Sequence, residues 1–265
     1  MNAPAAGLMR FRPLLLIGRG VWIELFRRKD LAVLLILMGL YVLGVWVVRL
    51  VGIKNPSTAT FLLNLGMTLA YFCAHVLTLL IAARQLPDEI ENRTLYPLLA
   101  RPVERHTVIV GKWLACVACG AATLLLLFLL GWIPVPKMES YHGVMLIQTL
   151  VLHVASLSVL AALAMALSLL VPRGVNLVLL ALWFVVGRNV LGFLTARFEE
   201  AGLKEIALWF SAYLPDFSKL NLITRYTDGI APLAGGSFLG LLLYGAVFSA
   251  VALLLAAYVF RRRPL

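Results

Sequence analysis

Long apolar runs alternate with short polar stretches along the whole chain. Six runs occupy residues 31–53, 61–83, 108–133, 144–171, 175–196 and 237–260. A helix rises about 1.5 Å per residue, so a run of about 20 apolar residues crosses the hydrocarbon core of a bilayer. The pattern therefore predicts an all-α polytopic membrane protein with six transmembrane helices, forming one transmembrane domain over residues 1–265.

Two further stretches combine polar and apolar residues at helical spacing. Residues 8–30 place Trp22 and Phe26 among arginines, which predicts an amphipathic helix lying in the cytoplasmic interface of the membrane. Residues 84–107 form the densest polar stretch, with four of the twelve acidic residues, and we call this stretch the polar island. Its interleaved apolar residues favour a short amphipathic helical element that contacts another protein. The alternative is a connecting loop, although connecting loops are usually much shorter.

Residues 197–236 precede the last apolar run and are too short for two spans. They are also too apolar for a free loop, and they contain the stretch Tyr213-Leu214-Pro215-Asp216-Phe217. We predict a re-entrant or interfacial helical segment that packs on the outer mouth of the bundle. The alternative, a seventh span, is disfavoured because Glu and Asp residues are frequent here.

The composition excludes a soluble globular protein, since 62% of the residues are hydrophobic and the mean hydropathy is +0.97. The net charge of +11 comes from residues beside the apolar runs, which favours contact with anionic lipid headgroups over nucleic-acid binding. Of the 23 Lys and Arg residues, fifteen lie on the side of the polar island and seven on the other. The positive-inside rule then predicts that the polar island and both termini are cytoplasmic in a cell (inner or plasma) membrane.

Few polar side chains lie inside the predicted spans. His75, His153 and Arg188 are ionisable, and Asn64 is polar but uncharged. Such residues are candidates for a transport pathway, and we select Asn64, His75 and Arg188 as its candidate residues. The alternatives are histidines that stabilise packing and an arginine that extends to the interface. Because no acidic residue lies in a span, a self-sufficient proton antiporter is disfavoured.

Motifs for energy conversion and catalysis are absent from the sequence. Gly111-Lys112 is followed by Trp113 and lacks the upstream glycine of a phosphate-binding loop, and neither HExxH nor GxSxG occurs. Cys116 and Cys119 form a CxxC inside an apolar run, where cysteine acts as a small hydrophobe. We therefore expect no catalytic residue, no metal site and no cofactor bound by this chain.

The polar island carries a family resemblance. Its order of residues resembles the permease subunits of ABC-2 type transporters, which have a Glu, a Gly-Thr, leucines, a Pro-Ser-Arg, and a Gly-Lys that opens the next span. The matching positions are Glu89 or Glu91, Thr94-Leu95, Arg101-Pro102, Arg105 and Gly111-Lys112. Arg93 stands where the family has Gly, and Glu104 stands where it has Ser.

The resemblance implies that the polar island is a coupling helix between spans 2 and 3, which docks into a separate ATP-binding subunit. Glu89, Glu91 and Arg105 would form ion pairs there, and Ile90 and Leu95 would fill the cleft. The docking set also includes Arg93, Thr94, Pro102, Gly111 and Lys112.

The family further implies an exporter with two ATP-binding subunits, which bind the ATP and Mg²⁺. A six-span chain encloses little space alone, so we expect a homodimer with the pathway at its seam. The alternative function is a membrane scaffold or an intramembrane enzyme without ATP-coupled transport, in which the polar island is an assembly site.

Overall fold

The structure is a computed structural model that describes residues 20–23, 30–51, 55–88, 105–133, 143–200, 202–203, 205–206 and 214–262. Within these ranges the secondary structure is helical, without any strand. The helices in chain order are α1 (Asp30–Leu50), α2 (Pro56–Gln85), α3 (Arg105–Trp132), α4 (Gly143–Ser168), α5 (Arg173–Glu200), the short α6 (Ile223–Thr227) and α7 (Gly235–Arg262). A four-residue 3₁₀ helix (Phe217–Leu220) precedes α6.

The six long helices are each long enough and apolar enough to cross a membrane, which confirms the predicted six spans. Several of them extend beyond the apolar runs, as α2 and α5 illustrate. α2 begins at Pro56 because Asn55 caps it, its side chain accepting a hydrogen bond from the Ser57 amide at 3.1 Å. α5 continues to Glu200, where an ion pair with Arg197 (3.1 Å) spans one turn of polar helix. Hydropathy marks the apolar part of a helix but not its ends.

α2, α3 and α4 form the centre of the bundle, and at least half of the most apolar window of each is buried. α1, α5 and α7 are peripheral, and less than a fifth of the corresponding window is buried in each. Their exposed faces carry large apolar side chains such as Leu40, Val185 and Leu254. Such faces are stable against lipid or against another membrane protein.

Glycines allow close approaches between neighbouring helices. A Cβ on Gly66 of α2 would collide with the ring of Tyr41, whose hydroxyl donates a hydrogen bond to the carbonyl of Leu62 at 2.7 Å. A Cβ on Gly120 of α3 would collide with Oγ1 of Thr78 on α2. Small residues at helix crossings let the backbones pack tightly where the hydrophobic effect supplies little driving force.

Residues 214–234, which we call the cap segment, pack among the long helices at the end away from the polar island. Phe217, Leu220, Ile223 and Tyr226 are buried there. Side-chain hydrogen bonds attach the segment to all five neighbouring helices: Asn64–Thr227, Trp132–Tyr226, Gln148–Leu233, Trp183–Pro215 and Tyr244–Asp216. The predicted segment 197–236 differs in its start, because residues 197–200 continue α5. Its re-entrant character stays a prediction.

Parts of two other predicted elements lie outside the described residues. Of the predicted interfacial helix at 8–30, residues 20–23 are helical and Val21 is buried. Of the polar island, residues 89–104 lie outside the described ranges, whereas residues 84–85 end α2 and residues 105–107 begin α3.

Candidate functional site

Lys112 lies at the island end of the bundle, where α2 leads into the polar island and α3 leaves it. Its side chain is only 2% exposed, and its Nζ donates a hydrogen bond to the Gln85 carbonyl at 2.7 Å. Gln85 is the last residue of α2, and the last carbonyls of a helix lie beyond the reach of its regular internal hydrogen bonds. The ammonium thus caps α2 from α3, and its charge complements the negative end of the helix dipole. Gly111, beside it, is also buried.

An ion pair connects the start of the polar island to α5. Nη1 of Arg173, the first residue of α5, lies 2.7 Å from Oδ1 of Asp88. Both side chains are partly exposed, so the pair contributes little to stability. Its geometric effect is larger, because residue 88 is the last described residue before the central part of the polar island. Three helices therefore meet where this stretch of chain departs.

The predicted docking residues divide into two groups. Arg105, Gly111 and Lys112 belong to the first turns of α3. The others lie outside the described residues: Glu89, Ile90, Glu91, Arg93, Thr94, Leu95 and Pro102.

A buried polar network surrounds His75 in the middle of α2. Its Nδ1 is 2.8 Å from the Tyr71 carbonyl, and its Nε2 is 2.8 Å from Oγ of Ser156 on α4. Since a carbonyl only accepts, Nδ1 carries the proton and Nε2 accepts from the serine hydroxyl. Oγ of Ser156 also lies 3.3 Å from the Tyr71 hydroxyl. Both polar atoms of the His75 ring thus have partners inside the bundle.

A serine bonded to a histidine resembles the nucleophile and base of a hydrolase. Here both side chains are 0% exposed, and Tyr71 packs on the His75 ring at a centroid distance of 4.0 Å. A substrate has no route to Oγ of Ser156 in this arrangement. The pair therefore joins α2 to α4, and it does not favour the alternative of an intramembrane enzyme.

His153 on α4 is the second fully buried histidine. Its ring packs edge-on against Tyr71, with centroids 4.4 Å apart. Its polar neighbours are the Thr149 carbonyl and the Asn221 side chain, although neither meets hydrogen-bond geometry. His153 therefore lies between the polar network and the cap segment.

A groove of ≈ 260 Å³ opens between α2, α5 and the cap segment. Five aromatic side chains line it: Tyr71, Phe72, Trp183, Phe184 and Phe217. Arg188 and Asp216 are the charged residues in its lining. Within the described part of the chain, Arg188 forms neither a hydrogen bond nor an ion pair, and so it does not pair with Asp216.

The three pathway candidates lie at different depths relative to this groove. Arg188 lines it directly. His75 lies behind Phe184, whose ring stacks on it at 4.6 Å with an interplanar angle of 16°. Asn64 donates from Nδ2 to Oγ1 of Thr227 at 3.0 Å, which attaches the cap segment to α2.

Sequence reasoning missed the aromatic residues of the groove and the role of Asp216. Trp183 and Phe184 lie in an apolar run, where nothing distinguishes them from lipid-facing residues. The sequence did point to a role for Asp216, because a carboxylate in an apolar stretch before a span requires a polar partner. Its Oδ1 accepts hydrogen bonds from the Ser218 amide (2.9 Å) and hydroxyl (2.6 Å), which caps the 3₁₀ helix.

Metal and thiol chemistry find no support in the described part of the chain. No three His, Cys, Asp or Glu side chains converge there in a group that can hold a metal ion. Cys73, Cys116 and Cys119 are buried there and form no disulfide.

The chain matches a known protein family. A sequence model of the family described as ABC-2 family transporter protein matches residues 47–265, which is more than four fifths of the chain. No curated protein matches the chain.

Proposed function

The chain belongs to the ABC-2 transporter family, and on that premise we propose that it is the permease subunit of an ATP-driven exporter. Two copies form the translocation pathway at their seam, and each copy binds one ATP-binding subunit. ATP and Mg²⁺ bind to those partner subunits, where hydrolysis takes place. This division of labour agrees with a sequence that contains no phosphate-binding loop.

The observation that carries the proposal is the attachment of the polar island to the bundle. Lys112 of α3 caps the end of α2, and Arg173 of α5 pairs with Asp88 at the start of the island. A docking element must transmit displacement to the membrane helices, and contiguous contacts with α2, α3 and α5 provide a route. We propose that closure of the ATP-binding subunits moves the island and, through these contacts, α5.

Within the island, we assign roles by side-chain chemistry. Glu89, Glu91 and Arg105 form ion pairs with the ATP-binding subunit, and Ile90 and Leu95 fill an apolar cleft on it. Arg93, Thr94 and Pro102 complete the docking element, and Gly111 and Lys112 hold its return into α3. The island is then cytoplasmic, as are both termini.

The pathway is assigned to the face of the bundle that carries Arg188. α5 is peripheral and exposes this arginine at membrane depth, where an unpaired charge facing lipid is costly. A second copy of the chain, or a polar substrate, would lower that cost. Arg188 contacts the substrate, whereas His75 and Asn64 support the pathway from behind.

Charge reversal in the island tests the docking assignment. We expect the double variant Glu89→Lys/Glu91→Lys to lose capture of a co-expressed ATP-binding subunit, because like charges would oppose at the interface. Insertion into the membrane should be unchanged. The measurement is affinity pull-down together with export-coupled ATP hydrolysis in reconstituted vesicles.

The matched control is Glu199→Lys/Glu200→Lys, which reverses two exposed acids at the opposite end of the bundle. This control should retain capture and coupling. Normal capture by the island variant would refute the docking assignment, and transport by the purified chain without any ATP-binding subunit would refute the proposed function as a whole.

A further inference from the structure

The side chains that line the groove between α2, α5 and the cap segment are fixed by contacts with residues behind them. Nε1 of Trp183 donates a hydrogen bond to the Pro215 carbonyl at 2.9 Å, which fixes the indole against the cap segment. Gly187, one turn later on α5, leaves room for that ring, since a Cβ there would lie 3.3 Å from it. Phe184 is held between His75 and Phe217, with centroid distances of 4.6 and 5.6 Å. The lining is thus fixed before any ligand arrives.

The lining combines two recognition chemistries. Aromatic faces beside a carboxylate attract organic cations, and quaternary ammonium groups are bound by such aromatic cages. Phe184, Trp183 and Asp216 provide these groups on one part of the groove. A guanidinium binds phosphate by charge-assisted hydrogen bonds, and Arg188 provides that group without a partner in the described structure. One ligand that carries both charges satisfies both requirements.

We propose that this groove binds the headgroup of a zwitterionic amphiphile, an ammonium group joined to a phosphate, as in a zwitterionic phospholipid. The ammonium lies against the aromatic side chains and Asp216, and the phosphate lies against Arg188. The volume of ≈ 260 Å³ suits a headgroup, because pockets for whole drug-sized ligands start at about 300 Å³.

The surroundings of the groove favour an amphiphile over a water-soluble zwitterion. Val185 lines the groove and is 60% exposed on the outer face of α5. Leu182 and Val178, one and two turns earlier on the same side of α5, are 56% and 58% exposed and continue this apolar face, along which acyl chains can lie. Lys219 of the cap segment does not line the groove, and its Nζ lies 5.3 Å from the centroid of the Tyr244 ring. It therefore leaves the Asp216 side of the groove available to an ammonium.

The identification of this ligand as the transported substrate rests on the proposed function, whereas its binding does not. Binding is measured on the full-length chain, purified without any ATP-binding subunit in an uncharged maltoside detergent. Equilibrium dialysis compares four radiolabelled probes: dihexanoylphosphatidylcholine, dihexanoylphosphatidylglycerol, hexyltrimethylammonium and inorganic phosphate. We expect the phosphatidylcholine to bind roughly tenfold tighter than either singly charged amphiphile, and inorganic phosphate to bind weakest.

Three variants locate the binding. Arg188→Gln should abolish the preference for phosphatidylcholine over hexyltrimethylammonium. Asp216→Asn keeps an oxygen that can cap the 3₁₀ helix, and it should weaken the phosphatidylcholine while leaving phosphatidylglycerol unchanged. Phe72→Leu changes a side chain that is already 43% exposed, so it preserves folding while removing one aromatic face. It should weaken both ammonium probes.

The matched controls are Arg197→Gln on α5 and Asp228→Asn on the cap segment, which lie outside the groove lining. Both should bind all probes as the unaltered chain does. Equal affinity for the three amphiphiles, or unchanged binding by Arg188→Gln, would overturn the proposal. The proposal would also be overturned if the groove variants changed the fraction of dimer but not the binding of lipid, because a second copy of the chain would then occupy the groove. Selective binding combined with failed ATPase docking would support this inference and refute the proposed function alone.

Discussion

Lys112 shows how one side chain joins two helices at the island end. Its aliphatic stem is buried, and its ammonium reaches the carbonyl of Gln85, the last residue of α2. A buried carbonyl without a partner costs about 1–3 kcal/mol. The sequence flagged this lysine through a family resemblance, but only the fold identifies the carbonyl that it caps.

Replacing Lys112 with Met should lower the free energy of unfolding by about 1–3 kcal/mol, because the hydrogen bond from the ammonium to the Gln85 carbonyl is lost while the apolar stem is kept. Unfolding by dodecyl sulfate, followed by circular dichroism in detergent, measures the change. Lys112→Arg, which keeps a donor and the charge, should lose less. Equal stability of the Met variant and the unaltered chain would contradict the capping role.

Glycines at the helix crossings also act at the scale of single residues. Gly120→Val should impair folding, because a Cβ at this position collides with Thr78 inside the bundle. Overpacking of this kind costs about 1–3 kcal/mol or more. The double variant Gly120→Val/Thr78→Ala removes the colliding hydroxyl and should recover part of the lost thermal stability. Gly143→Val, where a Cβ meets open space, is the control.

At the scale of elements, the cap segment depends on hydrogen bonds from the long helices. Gln148 of α4 makes two of them, donating to the Leu233 carbonyl at 3.0 Å and accepting from the Leu233 amide at 2.9 Å. This pair fixes the chain immediately before α7. The sequence does not link Gln148 to Leu233, because a glutamine in a span can form hydrogen bonds with many different polar groups.

Gln148→Leu should release the end of the cap segment and lower the free energy of unfolding by about 1–3 kcal/mol, since two backbone groups lose their partner. Hydrogen exchange of residues 228–234 should accelerate while exchange in α2 and α3 stays slow. Gln148→Glu keeps an acceptor for the Leu233 amide, so its effect should be smaller. Unchanged exchange in the Leu variant would show that Gln148 does not hold the segment.

The ion pair between Asp88 and Arg173 connects two elements that are distant in sequence. Both partners are partly exposed, so we expect little change in stability when it is broken. If the pair relays motion to α5, Asp88→Arg and Arg173→Asp should each reduce export per ATP hydrolysed. The doubly exchanged variant should recover much of that coupling, because the attraction is restored with the charges reversed. Similar coupling in all four proteins would exclude this role.

At the scale of the whole molecule, the distribution of charge predicts how the chain is oriented in the membrane. The surplus of Lys and Arg on the side of the polar island predicts a cytoplasmic island. In a variant without the three native cysteines, His106→Cys should react with a membrane-impermeant maleimide only from the cytoplasmic side. Glu199→Cys should react only from outside. The reverse pattern would contradict the proposed docking of a cytoplasmic ATP-binding subunit.

The number of spans could be predicted from sequence because the bilayer imposes a simple condition. Each crossing needs about 20 apolar residues, and the backbone must satisfy its hydrogen bonds within the helix. The described helices agree with all six predicted crossings. Helix ends agreed less well, because caps such as Asn55 and polar turns such as residues 197–200 extend helices beyond their apolar parts.

The sequence by itself determined the crossings and the polar island, since each follows from local composition. Only the tertiary structure joined His75 to Ser156, Asp88 to Arg173, and Arg188 to the groove that also contains Asp216. The reason is that helices apolar on every side carry almost no periodic signal for which face meets which neighbour. Which helices lie side by side in such a bundle is decided by packing and by a few buried hydrogen bonds, and these contacts exist only once the helices have assembled.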